Sequence, residues 1–300
     1  MRDDAIHIGL TWRDALVSAT SVLRPTEGED AAGDARRLLA HALGESWLDL
    51  IKDPARRLSE PEASRLAAML ARRVRGEPVS RIIGVRGFYG RDFLVTAATL
   101  DPRPESETLI DAALARIKPV WGSGAGLDIL DIGTGTGCLL LTLLAELPDA
   151  RGVGIDPSAD ALAVAHENGV RLGIGDRVRW MEGRFEAIAG QIRQAFPLIV
   201  SNPPYIPTAD IAGLDRDVRD FDPHLALDGG TDGLDIYRGI ARQLGNVAAR
   251  GWVLIEVGHD QAHDVARLIE LSTVEGRLGP VNIALDMAGK QRCVTFEIRD

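Results

Sequence analysis

The residue types of the tetrapeptide Asn202-Pro203-Pro204-Tyr205 could hold a flat NH2 group, although a rigid loop at a strand end would have the same sequence. A nitrogen conjugated to a carbonyl or a ring is a poor nucleophile, because its lone pair is delocalised. Two acceptors that bind its hydrogens leave the lone pair facing an electrophile. The Asn202 side-chain oxygen can be one acceptor, and a main-chain carbonyl of the rigid Pro203-Pro204 turn can be the other, since prolines fix the backbone and remove N–H donors. Tyr205 offers a flat face for stacking.

A glycine-rich loop, Gly133-Thr134-Gly135-Thr136-Gly137, follows an apolar run that contains Asp131. Glycines allow a tight turn and let a ligand approach the backbone closely. The spacing differs from the Gly-x-Gly-x-x-Gly of dinucleotide sites. Because the carboxylate of Asp131 would repel a pyrophosphate and attract a cation, we predict a ligand with sulfonium and ammonium groups.

Asp156 ends the next apolar run, 23 residues after Gly133. An acid about 20 residues beyond such a loop can accept hydrogen bonds from ribose hydroxyls. Asp156-Pro157 also fits a helix N-cap with proline at the first helical position. The two interpretations are compatible, and we predict ribose binding.

The elements that must position these residues read as alternating strands and helices. The predicted strands lack strict alternation, which is typical of strands buried on both faces of a parallel sheet; they are 127–132, 152–155, 178–181, 198–201 and 252–257. Helix-length stretches lie between them at 139–146, 159–168 and 236–249, and a hairpin-length turn joins 281–287 to 292–298. We predict a doubly wound, mostly parallel α/β sheet that ends in an antiparallel strand, with ligands at its carboxyl edge.

The first part of the chain has a different pattern. Residues 1–75 show helical spacing of apolar groups, as at Ala35, Leu38, Leu39 and Ala42. Residues 75–78 break this periodicity, and 80–100 alternate with several glycines, which suggests a hairpin connector. We therefore predict a helical domain at 1–75, a β-hairpin connector at 76–104 and an α/β domain at 105–300.

Charge and hydropathy exclude several function classes. Residues 105–300 hold 18 Lys and Arg against 29 Asp and Glu, so non-specific binding of nucleic acid is disfavoured. The sequence lacks an apolar run of about 18 residues, and acids near its start replace the basic start of a signal peptide. These features favour a soluble cytoplasmic protein without membrane contact.

Cysteine and histidine spacing gives little support for a metal site. Cys138 and Cys293 are far apart; Cys138 lies at a helix start that could stabilise a thiolate, although a small packing side chain is the favoured interpretation. His259 and His263 have zinc-peptidase spacing, but Asp stands where Glu is needed and a third ligand is not evident. We predict no metal. His224 remains open between substrate contact and a structural role.

The glycine loop, the acid at 156 and the Asn-Pro-Pro-Tyr motif together resemble class I methyltransferases that act on amino or amide nitrogens. Within that class, the chain resembles the HemK/PrmC-type glutamine methyltransferases of peptide chain release factors. The resemblance extends over nearly the whole chain and includes the segments 75–78, 84–90, 102–107, 201–206, 223–230 and 232–238.

The resemblance implies a Rossmann-like, seven-stranded methyltransferase sheet, with S-adenosylmethionine (SAM) as cofactor and S-adenosylhomocysteine as product. It implies that the helical domain contacts a class 1 release factor, whose Gly-Gly-Gln glutamine is methylated on the side-chain nitrogen. The implied cofactor residues are Asp131, Gly133, Thr134, Gly135, Thr136, Gly137, Asp156, Arg184, Phe185 and Asn202. The implied catalytic residues are Asn202, Pro203 and Tyr205, and these bind the target glutamine together with Pro204.

Two positions depart from the family pattern. Ser106 stands where threonine is usual, which keeps the hydroxyl. Arg184 stands where an aromatic residue is frequent, so adenine contact there is in doubt, and Phe185 could share this role or belong to the core. Two alternatives stay open: an adenine-N6 DNA or RNA methyltransferase, which shares the Asn-Pro-Pro-Tyr requirement, and a non-catalytic adapter that uses this fold to bind protein.

Overall fold

The computed structural model describes residues 6–27, 30–272 and 274–300, so residues 1–5 and 28–29 of the predicted helical domain lie outside the described residues. The chain divides into two compact units. One contains Met1–Gly84 and Arg216–Phe221, and the other contains Val85–Asp215 and Asp222–Asp300. Within the described ranges, no helix has the length and apolar character needed to cross a membrane.

The smaller unit is helical. Its helices in the N-terminal segment are α1 (Trp12–Glu27), α2 (Ala31–Leu43), α3 (Trp47–Lys52), α4 (Glu60–Val74) and α5 (Val79–Ile83). The apolar face predicted for α2 is fully buried. A capping box starts α4, because the Ser59 backbone N–H donates to the Glu62 carboxylate at 2.7 Å. The rings of Trp12 and Trp47 meet edge to face, with centroids 5.2 Å apart.

The hairpin predicted from the 80–100 segment is shorter than expected. Residues Val79–Ile83 form α5, and the hairpin consists of β1 (Val85–Phe88) and β2 (Arg91–Leu94). Burial of Val79 and Ile82 on one face of α5 explains why this stretch is helical instead of extended. The predicted domain boundaries at residues 75 and 104 stay predictions.

The larger unit contains a seven-stranded sheet with the order β5-β4-β3-β6-β7-β9-β8 among the described residues. Neighbours from β5 to β7 are parallel, and β9 is antiparallel to both β7 and β8. The strands are β3 (Asp128–Ile132), β4 (Arg151–Asp156), β5 (Val178–Glu182), β6 (Phe196–Ser201), β7 (Ala248–Glu256), β8 (Leu278–Leu285) and β9 (Gln291–Ile298). The predicted doubly wound α/β sheet with an antiparallel end is confirmed.

Helices cover both faces of this sheet. They are α6 (Glu107–Trp121), α7 (Cys138–Glu146), α8 (Ala159–Arg171), α9 (Phe185–Ile188), α11 (Asp235–Val247) and α12 (Ala262–Glu270), while α10 (Arg216–Phe221) belongs to the smaller unit. Successive residues of β3 belong to cores on opposite faces: Ile129 packs with α6 and α7, and Leu130 packs with α11 and α12. This two-sided burial explains the apolar runs in the sequence.

Three further details of the sequence prediction are wrong. β5 is an edge strand with half-exposed side chains, because β4 is its one partner among the described residues. The helix predicted to reach residue 249 ends at Val247, since Ala248 already pairs with Phe196 of β6. Helix α8 has Ser158 as its N-cap, so Pro157 is not the first helical residue.

Candidate active site

A pocket of about 250 Å³ opens at the carboxyl ends of β3, β4 and β6. The strand order reverses between β3 and β6, and ligands of open α/β sheets bind at such a crevice. Most predicted site residues line this pocket: Gly133, Thr134, Gly135, Thr136, Asp156, Arg184, Phe185, Asn202, Pro203 and Pro204. Asp131, Gly137 and Tyr205 are not part of its wall.

The glycine loop between β3 and α7 has a conformation that only glycine adopts easily. Gly133, Gly135 and Gly137 have φ angles of 75°, 54° and 78°. A Cβ at Gly135 would meet nothing within 4 Å, so the backbone there faces open space. A Cβ at Gly137 would lie 3.0 Å from the Leu141 side chain, so this glycine also serves the packing of α7.

Asp156 joins the loop to the end of β4. One carboxylate oxygen accepts a hydrogen bond from the Gly135 backbone N–H and the other accepts from Ser158 N–H, both at 2.9 Å. The residue is 8% exposed, and burial raises the pKa of its carboxyl. Each oxygen retains a lone pair, so Asp156 can still accept hydrogen bonds from a ligand.

Asp131 lies beneath the loop and is fully buried. The Thr134 hydroxyl donates to its Oδ2 at 2.6 Å, while its Oδ1 has no hydrogen-bond partner among the described residues. Burial raises the pKa of this carboxyl to about 7. A buried carboxylate oxygen without a partner suits a ligand that carries positive charge, so the residues around the loop fit SAM.

Residues 202–205, called the Asn202 corner below, follow a strand end that is bonded to the end of β3. The Ser201 hydroxyl donates to the Ile132 carbonyl at 2.7 Å, which ties the end of β6 to the end of β3. The Asn202 Nδ2 group donates to Ser106 Oγ at 3.2 Å. This bond engages the donor end of the amide and leaves Oδ1 as the acceptor that Asn202 offers.

Tyr205 lies deeper than a stacking residue would. Its side chain packs against the core on the α11 face of the sheet, and burial raises the pKa of its phenol to about 12. Its carbonyl accepts a hydrogen bond from Gln261 Nε2 at 2.9 Å, which stabilises the turn after Pro204. The stacking role of Tyr205 stays a prediction.

Glu256, which sequence reasoning missed, ends β7 beside the Asn202 corner. It is 2% exposed, and burial raises the pKa of its carboxyl to about 7, while the neighbouring Ser106 and Asn202 side chains lower it. The signal was a lone acid inside the apolar run at 252–257, at the carboxyl end of a predicted parallel strand.

Arg184 and Phe185 differ in their surroundings, although both line the pocket. The Arg184 side chain is 56% exposed and lies 3.9 Å from the Glu186 carboxylate. Phe185 is buried in the core on the α11 face. Gly183, just before them, donates its backbone N–H to the Asp156 carbonyl at 3.0 Å and so holds this segment against the end of β4.

The remaining candidates have structural surroundings. The exposed His224 ring lies 3.8 Å from the Asp228 carboxylate and does not line the pocket. Helix α12 begins after His259, so this residue and His263 do not share a helix, and the described residues contain no metal-ligating group of three or more His, Cys, Asp or Glu side chains. Burial raises the pKa of Cys138 to about 12, which disfavours the thiolate interpretation.

Known proteins resemble this chain over both units. A model of the PrmC N-terminal domain matches residues 14–84, and a methyltransferase domain model matches residues 129–220. The release factor glutamine methyltransferase of Rhodospirillum rubrum is 48% identical over 263 residues, which cover 87% of this chain and 77% of that protein. That of Bradyrhizobium diazoefficiens is 43% identical, and the match covers 91% of this chain and 90% of that protein.

The chain belongs to the release factor glutamine methyltransferase family. Membership makes it a SAM-dependent methyltransferase, as predicted from the glycine loop and the Asn-Pro-Pro-Tyr motif. Among solved structures, the catalytic domain of hMettl16 in complex with an MAT2A 3′UTR hairpin matches with a TM-score of 0.52 and 15% identity, over 80% of this chain and 81% of that one. This likeness supports the methyltransferase fold alone.

Proposed function

We propose that this chain transfers a methyl group from SAM to the side-chain amide nitrogen of the glutamine in the Gly-Gly-Gln motif of class 1 peptide chain release factors. The proposal rests on family membership and on one structural observation. Asn202 lies in the wall of the same pocket as the glycine loop, with the donor end of its amide held by Ser106. An acceptor for a substrate amide hydrogen and a site for the methyl donor therefore share one cavity.

The glycine loop and its neighbours would hold the cofactor. Asp156 would accept hydrogen bonds from the ribose hydroxyls, and Asp131 would balance the positive charge of the amino-acid portion. The backbone of Gly133 to Gly137 would pack against the ligand, and Arg184 and Phe185 would lie on the adenine side. SAM supplies a methyl carbon bound to a positively charged sulfur, which makes that carbon electrophilic.

The Asn202 corner would prepare the glutamine nitrogen for attack. Asn202 Oδ1 would accept one amide hydrogen and a carbonyl of the Pro203-Pro204 turn would accept the other, while the stacking predicted for Tyr205 would need its ring to move out of the core. The nitrogen lone pair, left free by these two acceptors, would face the methyl group that SAM supplies, and S-adenosylhomocysteine would be the leaving product. The nitrogen afterwards releases a proton to water, so a dedicated base is not required. Positioning of this kind lowers barriers by roughly 7–11 kcal/mol in well-oriented reactions.

The helical unit is proposed to contact the release factor, and the cytoplasm is proposed as the location because translation termination occurs there. Exposed apolar side chains at Leu48 and Ile51 of α3 are available for such a contact. Replacing both with aspartate should raise KM for the intact release factor and leave KM for a short Gly-Gly-Gln peptide unchanged. Equal effects on both substrates would contradict the proposed contact.

The decisive experiment is mass spectrometry of a purified release factor incubated with the enzyme and SAM. The expected result is a mass gain of one methyl group that disappears when the Gly-Gly-Gln glutamine is replaced by alanine. A parallel assay on DNA and RNA oligonucleotides tests the adenine-N6 alternative. Saturable methylation of an oligonucleotide, with none of the release factor, would overturn the proposal.

A further inference from the structure

Asn202 presents a problem that the proposed reaction does not solve by itself. An asparagine amide has an acceptor end and a donor end of nearly equal size, and a rotation by half a turn exchanges them. If Asn202 faced the substrate with its NH2 group, two donors would oppose each other. Neighbouring polar groups of the protein must therefore make one orientation of this amide more stable than the other.

We infer that Glu256 and Ser106 are positioning residues that lock the Asn202 amide with its oxygen toward the substrate. The inference rests on the proposed function, in which Asn202 Oδ1 accepts a hydrogen bond from the substrate amide. Asn202 Nδ2 donates to Ser106 Oγ at 3.2 Å. Ser201 pairs with Ile255 in the parallel β6–β7 ladder, so the residues that come next, Asn202 and Glu256, follow at neighbouring strand ends. The Ser106 and Asn202 side chains lower the pKa of the Glu256 carboxyl. Ser106 and Glu256 are each 2% exposed, so water does not compete for their polar groups.

An ionised carboxylate is the right group for this purpose, because it only accepts hydrogen bonds. Any side chain that hydrogen-bonds with an ionised Glu256 must donate, so this carboxylate favours the orientation of Asn202 in which the NH2 end lies on its side. Glu256 Oε2 is buried without a hydrogen-bond partner among the described residues, so an acceptor remains available in this cluster. A buried acceptor left unpaired is costly, which strengthens the preference for a donor on this side.

Contacts of its main chain fix the position of Glu256. Tyr237 of α11 is fully buried, and its hydroxyl donates to the main-chain carbonyl of Glu256 at 3.0 Å. Residues Glu256 and Cys293 are partners in the β7–β9 ladder. These contacts fix the end of β7, so the Glu256 side chain approaches the Asn202 corner from a rigid strand instead of a loop.

Protonation of Glu256 should remove the preference for one orientation of the Asn202 amide. A carboxylic acid can also donate a hydrogen bond, so it can pair with the oxygen of the rotated amide. Burial raises the pKa of this carboxyl to about 7, so the oriented state should be lost as pH falls through about 7. The phenols and thiols that interact with Glu256 have raised pKa values and stay neutral there. The charged and titratable groups that interact with it electrostatically are Arg292 and Cys293 on β9, Glu105 before α6, Tyr205 after β6, Tyr237 on α11 and Cys138 on α7.

Side-chain NMR of the intact enzyme without substrate tests directly whether Glu256 orients the Asn202 amide. The chain contains four asparagines, so selective ¹⁵N-asparagine labelling gives a short set of NH2 signals, and loss of one pair in Asn202→Ala assigns it. In the wild type, the Asn202 signals should shift with a midpoint near pH 7. In Glu256→Gln this titration should vanish. Because Asp131 also has a raised pKa of about 7, a titration that persists in Glu256→Gln would overturn the inference.

Kinetics with the release factor supply the second measurement. Glu256→Gln and Ser106→Ala should each lower kcat roughly tenfold at pH 8, as expected for one misplaced hydrogen bond. KM for the release factor and Kd for SAM should stay within about twofold, since the ground state depends little on this bond. Ser106→Thr keeps the hydroxyl and should retain wild-type turnover.

Matched controls separate positioning from a general loss of packing. Ser272→Ala removes another buried serine hydroxyl, and Glu146→Gln neutralises another carboxylate of the same unit; both should leave kcat unchanged. Wild-type kcat in Ser106→Ala, or equal losses in Ser106→Thr and Ser106→Ala, would overturn the inference. Failure of the wild type to methylate any release factor would instead remove the proposed function, and the NMR titration would still decide whether Glu256 orients Asn202.

Discussion

The two sides of the pocket hold their shape in different ways. The glycine loop is fixed mainly by its backbone: its glycines have positive φ, and the Gly133 and Thr134 amides both donate to the Ile155 carbonyl at 2.9 Å. The Asn202 corner depends on buried polar side chains that arrive from separate elements, Ser106 before α6 and Glu256 at the end of β7. Separate mutations should therefore impair cofactor binding and substrate orientation independently.

The largest effect should come from Asn202→Ala. Loss of the acceptor should lower kcat by more than about 10²-fold, because a hydrogen bond that stabilises the transition state is removed. The Kd for SAM, measured by calorimetry, should change little, since the glycine loop does not need this side chain. Normal turnover in this variant would contradict the proposed role of the corner.

Asp156→Ala should produce the opposite pattern. The variant removes the acceptor of the Gly135 amide and the proposed ribose acceptor, so Kd for SAM should rise about 30-fold, the size of a lost hydrogen bond to a charged group. At saturating SAM, kcat should remain within about threefold of the wild type. A large fall in kcat with unchanged Kd would show that the two sides of the pocket are not separable.

The stability of the protein should depend on pH through the buried carboxyl of Glu256. Its folded pKa of about 7 lies above the ordinary value of 4.5. Between these values the folded state binds more protons than the unfolded state, so the free energy of unfolding falls as pH rises. This group should lower it by about 2 kcal/mol from pH 5 to pH 7.

Denaturant unfolding of the wild type and Glu256→Gln at both pH values measures this contribution. The decrease should be smaller in the variant, although Asp131, whose pKa is raised to about 7 in the same way, keeps part of it. Identical pH profiles would show that Glu256 is ionised in the folded protein throughout this range.

The smallest effect is expected for Arg184→Ala on the cofactor side. The Arg184 side chain is more than half exposed, and its ion pair with Glu186 spans 3.9 Å. Exposed charges contribute little, so Kd for SAM should change less than about fivefold in calorimetry. A change as large as that of Asp156→Ala would mean that adenine recognition depends on the guanidinium.

Much of the site was predictable because parallel strands present their carboxyl ends at one edge. Gly133, Asp156 and Asn202 each follow a short apolar run, so their convergence follows from the fold class. Glu256 follows the same rule, yet it was missed because a single acid at a strand end has no motif around it. Its role depends on Ser106, which is 150 residues away in the sequence.

Burial explains the other differences. Tyr205 belongs to a recognisable motif, but the sequence could not show that its ring packs into the core on the α11 face. The start of α8 was misplaced by the Asp156-Pro157 pair, because the Asp156 carboxylate bonds to the glycine loop while Ser158 caps the helix. The exposed edge of β5 was not recognised, because residues 178–181 were treated as an apolar run and the charge of Arg179 was given too little weight.

The sequence by itself determined the order of strands and helices, the glycine loop and the Asn-Pro-Pro-Tyr corner, since periodicity, glycine and proline act through the local backbone. The tertiary structure alone decided which polar groups lose contact with water and which face one another. Hydrogen bonding and carboxyl pKa depend on neighbours from distant parts of the chain, and for this reason the set of Ser106, Asn202 and Glu256 became visible only in the folded protein.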